Sequence, residues 1–200
     1  MTSKISISKG NAKMGAIPSV SLPPVITCAK GCKCAKDCYA VKLCRIYPTV
    51  KKAYERNYKI LMDNANAFFQ QINDFCKTIR YFRWHVSGDI VSGAYFINMV
   101  SIAENNPHCK YLAFTKQFDI VNEYINSYGE LPSNLKIIFS AWEGMEMNNP
   151  HDLPTAHVFK RDEEIPEHFK VCGGNCSDCI CRGIGCWELV NGECMALIKH

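Results

Sequence analysis

Apolar residues recur at helical spacing between residues 65 and 79 and form a single stripe. A stripe of this period is typical of a helix that packs one face against a hydrophobic core. Before it, Pro48 suits the first turn of another helix, which we expect to continue to about residue 63. The stripe consists of Ala65, Phe68, Phe69, Ile72, Phe75, Cys76 and Ile79.

From residue 80 onward, strand patterns alternate with helix patterns. Strands are predicted at 80–86, 110–115, 135–140 and 156–160, and helices at 91–104 and 118–127. Such repeats predict right-handed crossovers and a parallel sheet. The expected fold class is α/β: a partial (β/α) barrel of about five or six parallel strands, or alternatively an open sheet, with cysteine-rich loops at both ends.

We expect residues 1–200 to form a single domain, because the sequence contains no internal repeat, low-complexity tract or linker that would divide it. Its predicted parts are a mostly irregular arm at 1–27, an N-terminal cluster loop at 28–44, a barrel core at 80–160 and a C-terminal cluster loop at 172–187.

The composition narrows the class of protein. The chain is 48% hydrophobic and 21% charged, as in ordinary globular proteins, and no stretch approaches the roughly 20 apolar residues of a membrane span. The first nine residues lack the apolar centre of a signal peptide, so we expect a cytoplasmic protein with no membrane partner. The net charge is +4, but no run of Lys and Arg is dense enough to predict nucleic-acid binding.

The chain contains 13 cysteines, an odd number that argues against a disulfide framework. In a reducing compartment, clustered thiols indicate metal binding. One group comprises Cys28, Cys32, Cys34, Cys38 and Cys44, and the other Cys172, Cys176, Cys179, Cys181, Cys186 and Cys194. Cys76 and Cys109 lie between the groups, and we expect both to be packed in the core.

The C-terminal group has the spacing Cys172-x3-Cys176-x2-Cys179-x6-Cys186, with four glycines among the ligands. Four thiolates suit either a tetrahedral zinc ion or a [4Fe–4S] cluster. Zinc prefers two Cys-x2-Cys pairs, and only one is present here, so the spacing favours a closed iron–sulfur cluster. Cys181 and Cys194 are expected to lie outside the ligand set.

The N-terminal group is compatible with more than one ligand set. Cys28-x5-Cys34-x3-Cys38 competes with Cys28-x3-Cys32-x-Cys34. Three thiolates would leave one iron of a cluster open, and an open position distinguishes a catalytic metal site from a structural one. If Cys32 or Cys44 completes the set, the cluster is closed and structural.

Polar residues follow three of the predicted strands. His85 lies at the end of the first, with Ser87, Gly88 and Asp89 directly after it, Lys116 follows the second, and Ser140 with Trp142 lies at the end of the third. Because parallel strands deliver their carboxyl ends to one edge, these residues predict a site there. His85 and Asp89 could form an acid–base or ligand pair, or simply a structural hydrogen bond.

The joint pattern of these motifs resembles a family of phage- and bacterium-encoded proteins named after gene product 88 of a mycobacteriophage. The shared features are Leu22-Pro23-Pro24, Thr27-Cys28, Cys34-x3-Cys38-Tyr39-Ala40, Arg80 to Asp89, Phe114-Thr115-Lys116, Leu135 to Trp142, Asn149-Pro150-His151 and Cys176-x2-Cys179-x6-Cys186-Trp187.

The layout also resembles that of the radical S-adenosylmethionine enzymes. The resemblance implies a partial barrel, two [4Fe–4S] clusters, an open first cluster on Cys28, Cys34 and Cys38, and an electron donor such as ferredoxin or flavodoxin. Ser87-Gly88-Asp89 loosely resembles the Gly-Gly-Glu that holds the methionine amino group, which implies cofactor binding by Ser87 and Gly88. The early spacing departs from the usual Cys-x3-Cys-x2-Cys of those enzymes.

Three functions are therefore expected from the sequence. The first is an iron–sulfur enzyme whose open iron acts as a Lewis acid on a small molecule, for example in ester hydrolysis. The second is a radical enzyme with S-adenosylmethionine as a further cofactor. The third is a non-catalytic binding protein of phage origin that the clusters staple together. In the enzyme hypotheses His85, Asp89, Lys116, Ser140 and Trp142 are the candidate catalytic residues.

Overall fold

The computed structural model, which describes residues 3–199, is organised around one eight-stranded sheet. Its spatial order is β1-β2-β3-β4-β5-β6-β8-β7, and β1 and β7 form the two edges of an open sheet. The β1–β2 pair is antiparallel and every other neighbouring pair is parallel. The strands are β1 Ile7–Ser8, β2 Ser19–Val20, β3 Tyr81–Trp84, β4 Lys110–Thr115, β5 Leu135–Ser140, β6 Thr155–Phe159, β7 Phe169–Val171 and β8 Cys194–Ile198.

Six α-helices accompany the sheet: α1 Tyr39–Ile46, α2 Pro48–Asp63, α3 Ala65–Cys76, α4 Gly93–Asn105, α5 Phe118–Tyr128 and α6 Cys176–Cys181. Side-chain caps fix the starts of three of them, and on α6 the cap is Asn175, which accepts a hydrogen bond from the backbone of Asp178. Asn64 accepts a hydrogen bond from the backbone of Ala67, and Ser92 accepts one from the backbone of Tyr95. Each cap satisfies a backbone N–H that has no partner inside the helix.

Alternation along the strands gives the sheet two different apolar faces. On one face, Phe82, Trp84 and Phe139 belong to the larger core, which also contains buried residues of α2, α3, α4 and α5. On the other face, Leu112, Ile138 and Met195 form a smaller core with Trp187 and Met14. We call this second face the inner face. Part of the C-terminal cysteine region therefore covers it.

The expected α/β fold is confirmed, and the core elements lie close to their predicted positions. The strands Lys110–Thr115 and Leu135–Ser140 have the predicted bounds, and Thr155–Phe159 is shifted by one residue. The sheet has eight strands rather than the expected five or six. The strands β1, β2, β7 and β8 were not predicted. Three of these have only two or three residues, too few to establish an alternating pattern, and β8 contains Cys194.

Two other expectations need correction. Residues 1–27 are not wholly irregular, since β1 and β2 lie within them. Residues 28–44 are not only a loop, because α1 begins at Tyr39 and a 3₁₀ helix spans Lys33–Asp37. Residues 1, 2 and 200 lie outside the described residues.

Between residues 3 and 199, no helix combines the length and the apolar character that crossing a membrane requires.

Candidate functional site

A cavity of about 230 Å³ opens at the carboxyl edge of the sheet, where the parallel strands end. We call it the site cavity. It brings together the three N-terminal cysteines of the preferred ligand set and all seven polar or glycine residues predicted to line this edge. These are Cys28, Cys34, Cys38, His85, Ser87, Gly88, Asp89, Lys116, Ser140 and Trp142.

The N-terminal cysteines lie on a chain of short turns rather than on one regular element. The thiol sulfur of Cys28 accepts a hydrogen bond from the backbone of Val25 at 3.3 Å. Cys34 lies in the 3₁₀ helix, and Cys38 is the residue that precedes α1. All three are half-buried, so their sulfur atoms lie between the sheet and the surface.

Cys32 lies beside this set, with its Sγ 2.8 Å from the Sγ of Cys34. Two thiolates on one zinc ion are about 3.8 Å apart, as follows from a tetrahedron with Zn–S bonds of about 2.3 Å. Thiolates that bind different irons of a cluster are farther apart still. In this arrangement, therefore, only one of the two sulfurs fits a ligand position. Cys44 lies on α1 and does not line the site cavity.

Ser87 and Gly88 attach the cysteine segment to the sheet. Ser87 donates a hydrogen bond from Oγ to the carbonyl of Leu22 at 2.9 Å, and the backbone of Leu22 donates to the carbonyl of Ser87. Gly88 has a φ of +79°, and a Cβ there would lie 2.5 Å from Thr27 Oγ1. The glycine therefore permits a close approach between the Ser87-Gly88 turn and residues 22–27.

Asp89 is buried and accepts three hydrogen bonds. They come from Thr115 Oγ1 at 2.6 Å, the Ile90 backbone at 2.7 Å and the Lys116 backbone at 2.9 Å. Burial raises the pKa of Asp89, and these hydrogen bonds oppose the rise. The carboxylate thereby fixes the chain at the point where Lys116 leaves β4.

His85 is also buried, and its Nε2 lies 2.9 Å from the hydroxyl of Tyr95 on α4. Burial, together with the charge of Arg83, lowers the pKa of His85 to about 3, so the ring is neutral near pH 7. His85 and Asp89 bond to different partners and not to each other. Their service as an acid–base pair stays a prediction, and their contacts indicate positioning.

Lys116, Ser140 and Trp142 form a polar group beneath the cysteines. Lys116 Nζ donates to Ser140 Oγ at 2.7 Å and lies 5.9 Å from the centre of the Trp142 ring. The pKa of the Cys34 thiol is raised to about 12 by burial and by its hydrogen bond with Cys32, and the Lys116 ammonium opposes this rise. A cation therefore lies close enough to the N-terminal thiols to stabilise negative charge on them.

Arg83 lines the site cavity as well, although it was not among the site residues predicted from the sequence. It lies on β3, and its guanidinium carbon is 4.8 Å from the centre of the Phe114 ring. Its charge also opposes the burial-induced rise in the pKa of both Cys176 and Cys186. Arg83 thus lies between the two cysteine groups. Arg83 stands two positions after Tyr81 in β3, so the two side chains lie on the same face of the strand. This alternation was the sequence signal that could have identified Arg83.

The C-terminal cysteines gather against the inner face. Cys172, Cys176 and Cys186 pack on the smaller core, and Cys179 is buried. A Cβ on Gly185 would lie 3.1 Å from Cys179 Sγ, and one on Gly173 would lie 3.6 Å from it. The two glycines therefore leave space around this sulfur. Cys181 is exposed, and Cys194 accepts a hydrogen bond from the hydroxyl of Thr155 at 3.2 Å.

Among residues 3–199, no three His, Cys, Asp or Glu side chains are placed so that they could hold one metal ion. A [4Fe–4S] cluster imposes a different requirement, because each thiolate binds its own iron and the sulfurs are spread more widely. The four C-terminal thiols, with glycines around them, provide donors of that kind. The N-terminal group brings four sulfurs, those of Cys28, Cys32, Cys34 and Cys38, to one cavity, and the short distance between Cys32 and Cys34 lets only one of those two be a ligand.

The family described as gene product 88 matches residues 2–190. No curated protein and no solved structure shows significant similarity to the sequence. The match covers most of the chain, including all five cysteines of the N-terminal group and Cys172 to Cys186, but it ends before Cys194 and before Leu197, which lines the site cavity. The chain therefore belongs to the gene product 88 family.

Proposed function

We propose that this protein is an iron–sulfur enzyme that acts on a small carboxylate-bearing substrate in the site cavity. Its N-terminal [4Fe–4S] cluster would be held by Cys28, Cys34 and Cys38, and the reaction is of the Lewis-acid type, such as hydrolysis of an ester. The observation that carries the proposal is the convergence of four thiols, of which Cys32 and Cys34 compete for one ligand position, with Lys116 and Ser140 on one cavity.

The sheet geometry supports a partial barrel. Arg83, Phe114, Ser140, Val158 and Leu197 come from five neighbouring strands, yet all line the same cavity of about 230 Å³. Five strands side by side span roughly 19 Å when flat, at about 4.8 Å per neighbour. A cavity of this size is too narrow to contact all five unless the sheet curves around it.

The cluster, when bound, would supply one iron that lacks a protein thiolate and can polarise a carbonyl oxygen. The chain's own groups bind and orient the substrate. Lys116 offers an ammonium for a carboxylate, and Ser140 holds that ammonium in place through the 2.7 Å hydrogen bond. Arg83 adds a second positive charge to the cavity wall.

His85 and Asp89 position these groups. Asp89 accepts from the Lys116 backbone and from Thr115, which fixes the end of β4. His85 accepts or donates one hydrogen bond with Tyr95, which ties the end of β3 to α4. A group that touches substrate from a fixed backbone loses less entropy on binding.

The second [4Fe–4S] cluster would be held by Cys172, Cys176, Cys179 and Cys186. Its role is structural, since four thiolates leave no open iron and the cysteines pack on the inner face. Metal binding in such a loop contributes directly to folding free energy.

A radical S-adenosylmethionine reaction is the second candidate, supported by the parallel sheet with cysteines at its carboxyl edge. The spacing of the early cysteines favours the first candidate, because Cys28-x5-Cys34-x3-Cys38 departs from the usual Cys-x3-Cys-x2-Cys of the radical S-adenosylmethionine enzymes.

The experiment is anaerobic purification, iron and sulfide counting, and EPR of the reduced protein with added ligands. We expect about eight irons per chain for two cubes. A small dicarboxylate, or a monoester that keeps one free carboxylate, should shift the EPR signal, and S-adenosylmethionine should leave it unchanged. Stoichiometric zinc without labile sulfide would contradict the proposal. Release of 5′-deoxyadenosine would establish the radical reaction instead.

The matched variants are Lys116→Met and Lys110→Met, which remove a lysine from opposite ends of β4. Lys116→Met should weaken the carboxylate-induced EPR shift by about tenfold or more in ligand concentration, because a charge-assisted hydrogen bond is worth about 1.5–3 kcal/mol. Lys110, an exposed residue that pairs with Glu188, should be replaceable without effect. If the two variants give equal EPR responses to the carboxylate, the result would favour the non-catalytic binding protein that the clusters staple together. Ligation of the cluster by Cys32, with no EPR response to any added ligand, would favour the same alternative.

A further inference from the structure

Cys32 is not part of the ligand set proposed for the N-terminal cluster, yet it lines the site cavity beside Cys34. The Sγ atoms of the two residues are 2.8 Å apart. Two thiolates on one metal ion need a separation of about 3.8 Å, so at most one sulfur of the two fits a ligand position. The other sulfur is a spare thiol in contact with a ligand. We call these two residues the Cys32–Cys34 pair.

A tight turn of the backbone holds the two sulfurs together. The carbonyl of Cys32 accepts a hydrogen bond from the backbone of Ala35 at 3.2 Å, and Cys32 directly precedes the 3₁₀ helix Lys33–Asp37. Residues two positions apart in such a turn have Cα atoms within the range of about 4.4–6.8 Å that disulfides adopt. A disulfide bond of about 2.05 Å requires the two sulfurs to approach by a further 0.8 Å or so, which is roughly a side-chain adjustment.

Both thiols of the pair are accessible to small molecules. Each is half-buried, and each lines the site cavity, which opens at the carboxyl edge of the sheet. By contrast, Cys76 and Cys109 are fully buried in the larger core. Oxidation of cysteine follows exposure, so a small oxidant that enters the cavity reaches the pair before it reaches the core thiols.

We propose that the Cys32–Cys34 pair is a redox site, which a peroxide converts to a reversible disulfide when no cluster occupies the N-terminal group. One thiol reduces hydrogen peroxide and becomes a sulfenic acid, with release of one water molecule. The second thiol then attacks that sulfur, the S–S bond forms, and a second water molecule leaves. The two sulfurs together lose two electrons, and the peroxide gains them.

The disulfide itself does not depend on the proposed function, but its effect on iron loading does. A sulfur in a disulfide cannot serve as a thiolate ligand, so the closed pair leaves only Cys28 and Cys38 of the preferred set. Bound iron has the opposite effect, because it occupies one thiolate of the pair. The closed loop contains a single intervening residue, and so short a loop adds little stability, so a reductant reopens it.

The experiment uses the full-length chain, treated anaerobically with an iron chelator and then with about two equivalents of hydrogen peroxide. Free thiols are alkylated, and peptide mass spectrometry identifies the cysteines that are linked. The test variant is Cys32→Ser. The matched control is Cys44→Ser, which removes another half-buried cysteine of the N-terminal group that does not line the site cavity.

We expect peroxide to link Cys32 to Cys34 in the wild type and in Cys44→Ser, and a phosphine reductant to restore both thiols. Cys34 should stay unlinked in Cys32→Ser. A wild-type chain that links Cys34 to Cys28 or Cys38, or that forms no disulfide in this region, would overturn the proposal. The wild-type peptide map decides this point even if Cys32→Ser does not fold.

Iron counting separates this proposal from the proposed function. After peroxide treatment, the wild type and Cys44→Ser should rebuild about four irons fewer than Cys32→Ser when ferrous iron and sulfide are added, and a phosphine should remove the difference. If the disulfide forms but the chain takes up no iron in either state, the redox site stands and the enzyme proposal fails. If the chain takes up iron and responds to carboxylates, but peroxide does not link the pair, the redox site fails and the enzyme proposal stands.

Discussion

Gly88 has a left-handed backbone at the point where the turn after β3 meets residues 22–27. A Cβ there would lie 2.5 Å from Thr27 Oγ1 and 2.8 Å from Leu22 Cβ, distances that normal contacts do not reach. Leu22 and Thr27 come more than 60 positions earlier in the sequence. A single residue therefore couples the strand-end turn to the segment that begins at Cys28.

Replacing Gly88 by Ala should both strain the backbone and separate these two segments. We expect Gly88→Ala to lower the free energy of unfolding by about 2–4 kcal/mol, since backbone strain and overpacking add. Iron should be lost from the N-terminal set. Gly129→Ala is the control, because Gly129 has a φ of +89° but no atom within 4 Å of a Cβ. It should cost about 1–3 kcal/mol and keep all iron.

Denaturant unfolding and iron counting distinguish the two glycine variants. If Gly88→Ala retains the iron content of the wild type, the turn is not what holds the N-terminal cysteines in place.

His85 should make stability depend on pH. Its folded pKa is about 3, whereas an exposed histidine has a pKa near 6.5, so unfolding takes up a proton between these values. The stabilisation is complete above about pH 6.5 and decreases as the pH falls toward 3, by up to about 2 kcal/mol at pH 5. His85→Gln keeps a hydrogen-bonding partner for Tyr95 but cannot take up this proton.

Thermal unfolding between pH 7.5 and 5.0 measures this difference. The wild-type melting temperature should fall more steeply on acidification than that of His85→Gln. Parallel curves would show that His85 is not held neutral by burial.

At the scale of elements, α6 contains both a candidate ligand and a matched control. Cys179 is buried among glycines and near the other three thiols, whereas Cys181, two residues later on the same helix, is exposed. Cys179→Ala should remove about four irons and most of the soluble yield, because metal binding in such a loop is also folding energy. Cys181→Ala should retain both.

Iron and sulfide counts on the two variants check this assignment. Loss of iron from Cys181→Ala, with full retention in Cys179→Ala, would show that the ligand set has been assigned to the wrong face of α6.

The central elements were predictable because their patterns are long. Lys110–Thr115 and Leu135–Ser140 are mostly continuous apolar runs within six positions, as in parallel strands buried on both faces, and α3 has a complete apolar stripe. The short strands β1, β2 and β7 give no such signal, and their positions depend on pairing with distant residues. α1 was missed because its cysteine suggested a ligand loop rather than a helix.

The site was predictable in outline for a related reason. Parallel strands must deliver His85, Lys116 and Ser140 to one edge, whatever the details of packing. The sequence does not indicate which partner each side chain bonds, so the contacts of Asp89 with Thr115 and of His85 with Tyr95 appear only in the folded chain. The positive charge of Arg83 acts on the C-terminal cysteines, and its side chain also lines the site cavity, only because both cysteine groups fold over the inner face at β3.

At the scale of the whole molecule, the two cysteine groups differ in their surroundings. The N-terminal group lines an open cavity whose other walls are strand ends. The C-terminal group packs on the smaller core with Trp187, Met14 and Leu112. The first can therefore exchange small molecules with solvent, and the second contributes to the packing of the inner face.

If both proposed clusters are present, this difference predicts that iron leaves the protein in two steps. With a strong iron chelator added in air, about four irons should be lost first, from Cys28, Cys34 and Cys38, because the open cavity admits both oxygen and chelator. The melting temperature should change little, since those cysteines are not part of either buried core.

The remaining irons should leave slowly and together with unfolding. At that stage the fluorescence of Trp187, now 5% exposed, should shift toward that of a solvated indole, and a Trp187→Phe variant identifies its contribution. Simultaneous loss of all iron, or unfolding during the first step, would contradict the assignment of a working cluster at the carboxyl edge and a structural cluster on the inner face.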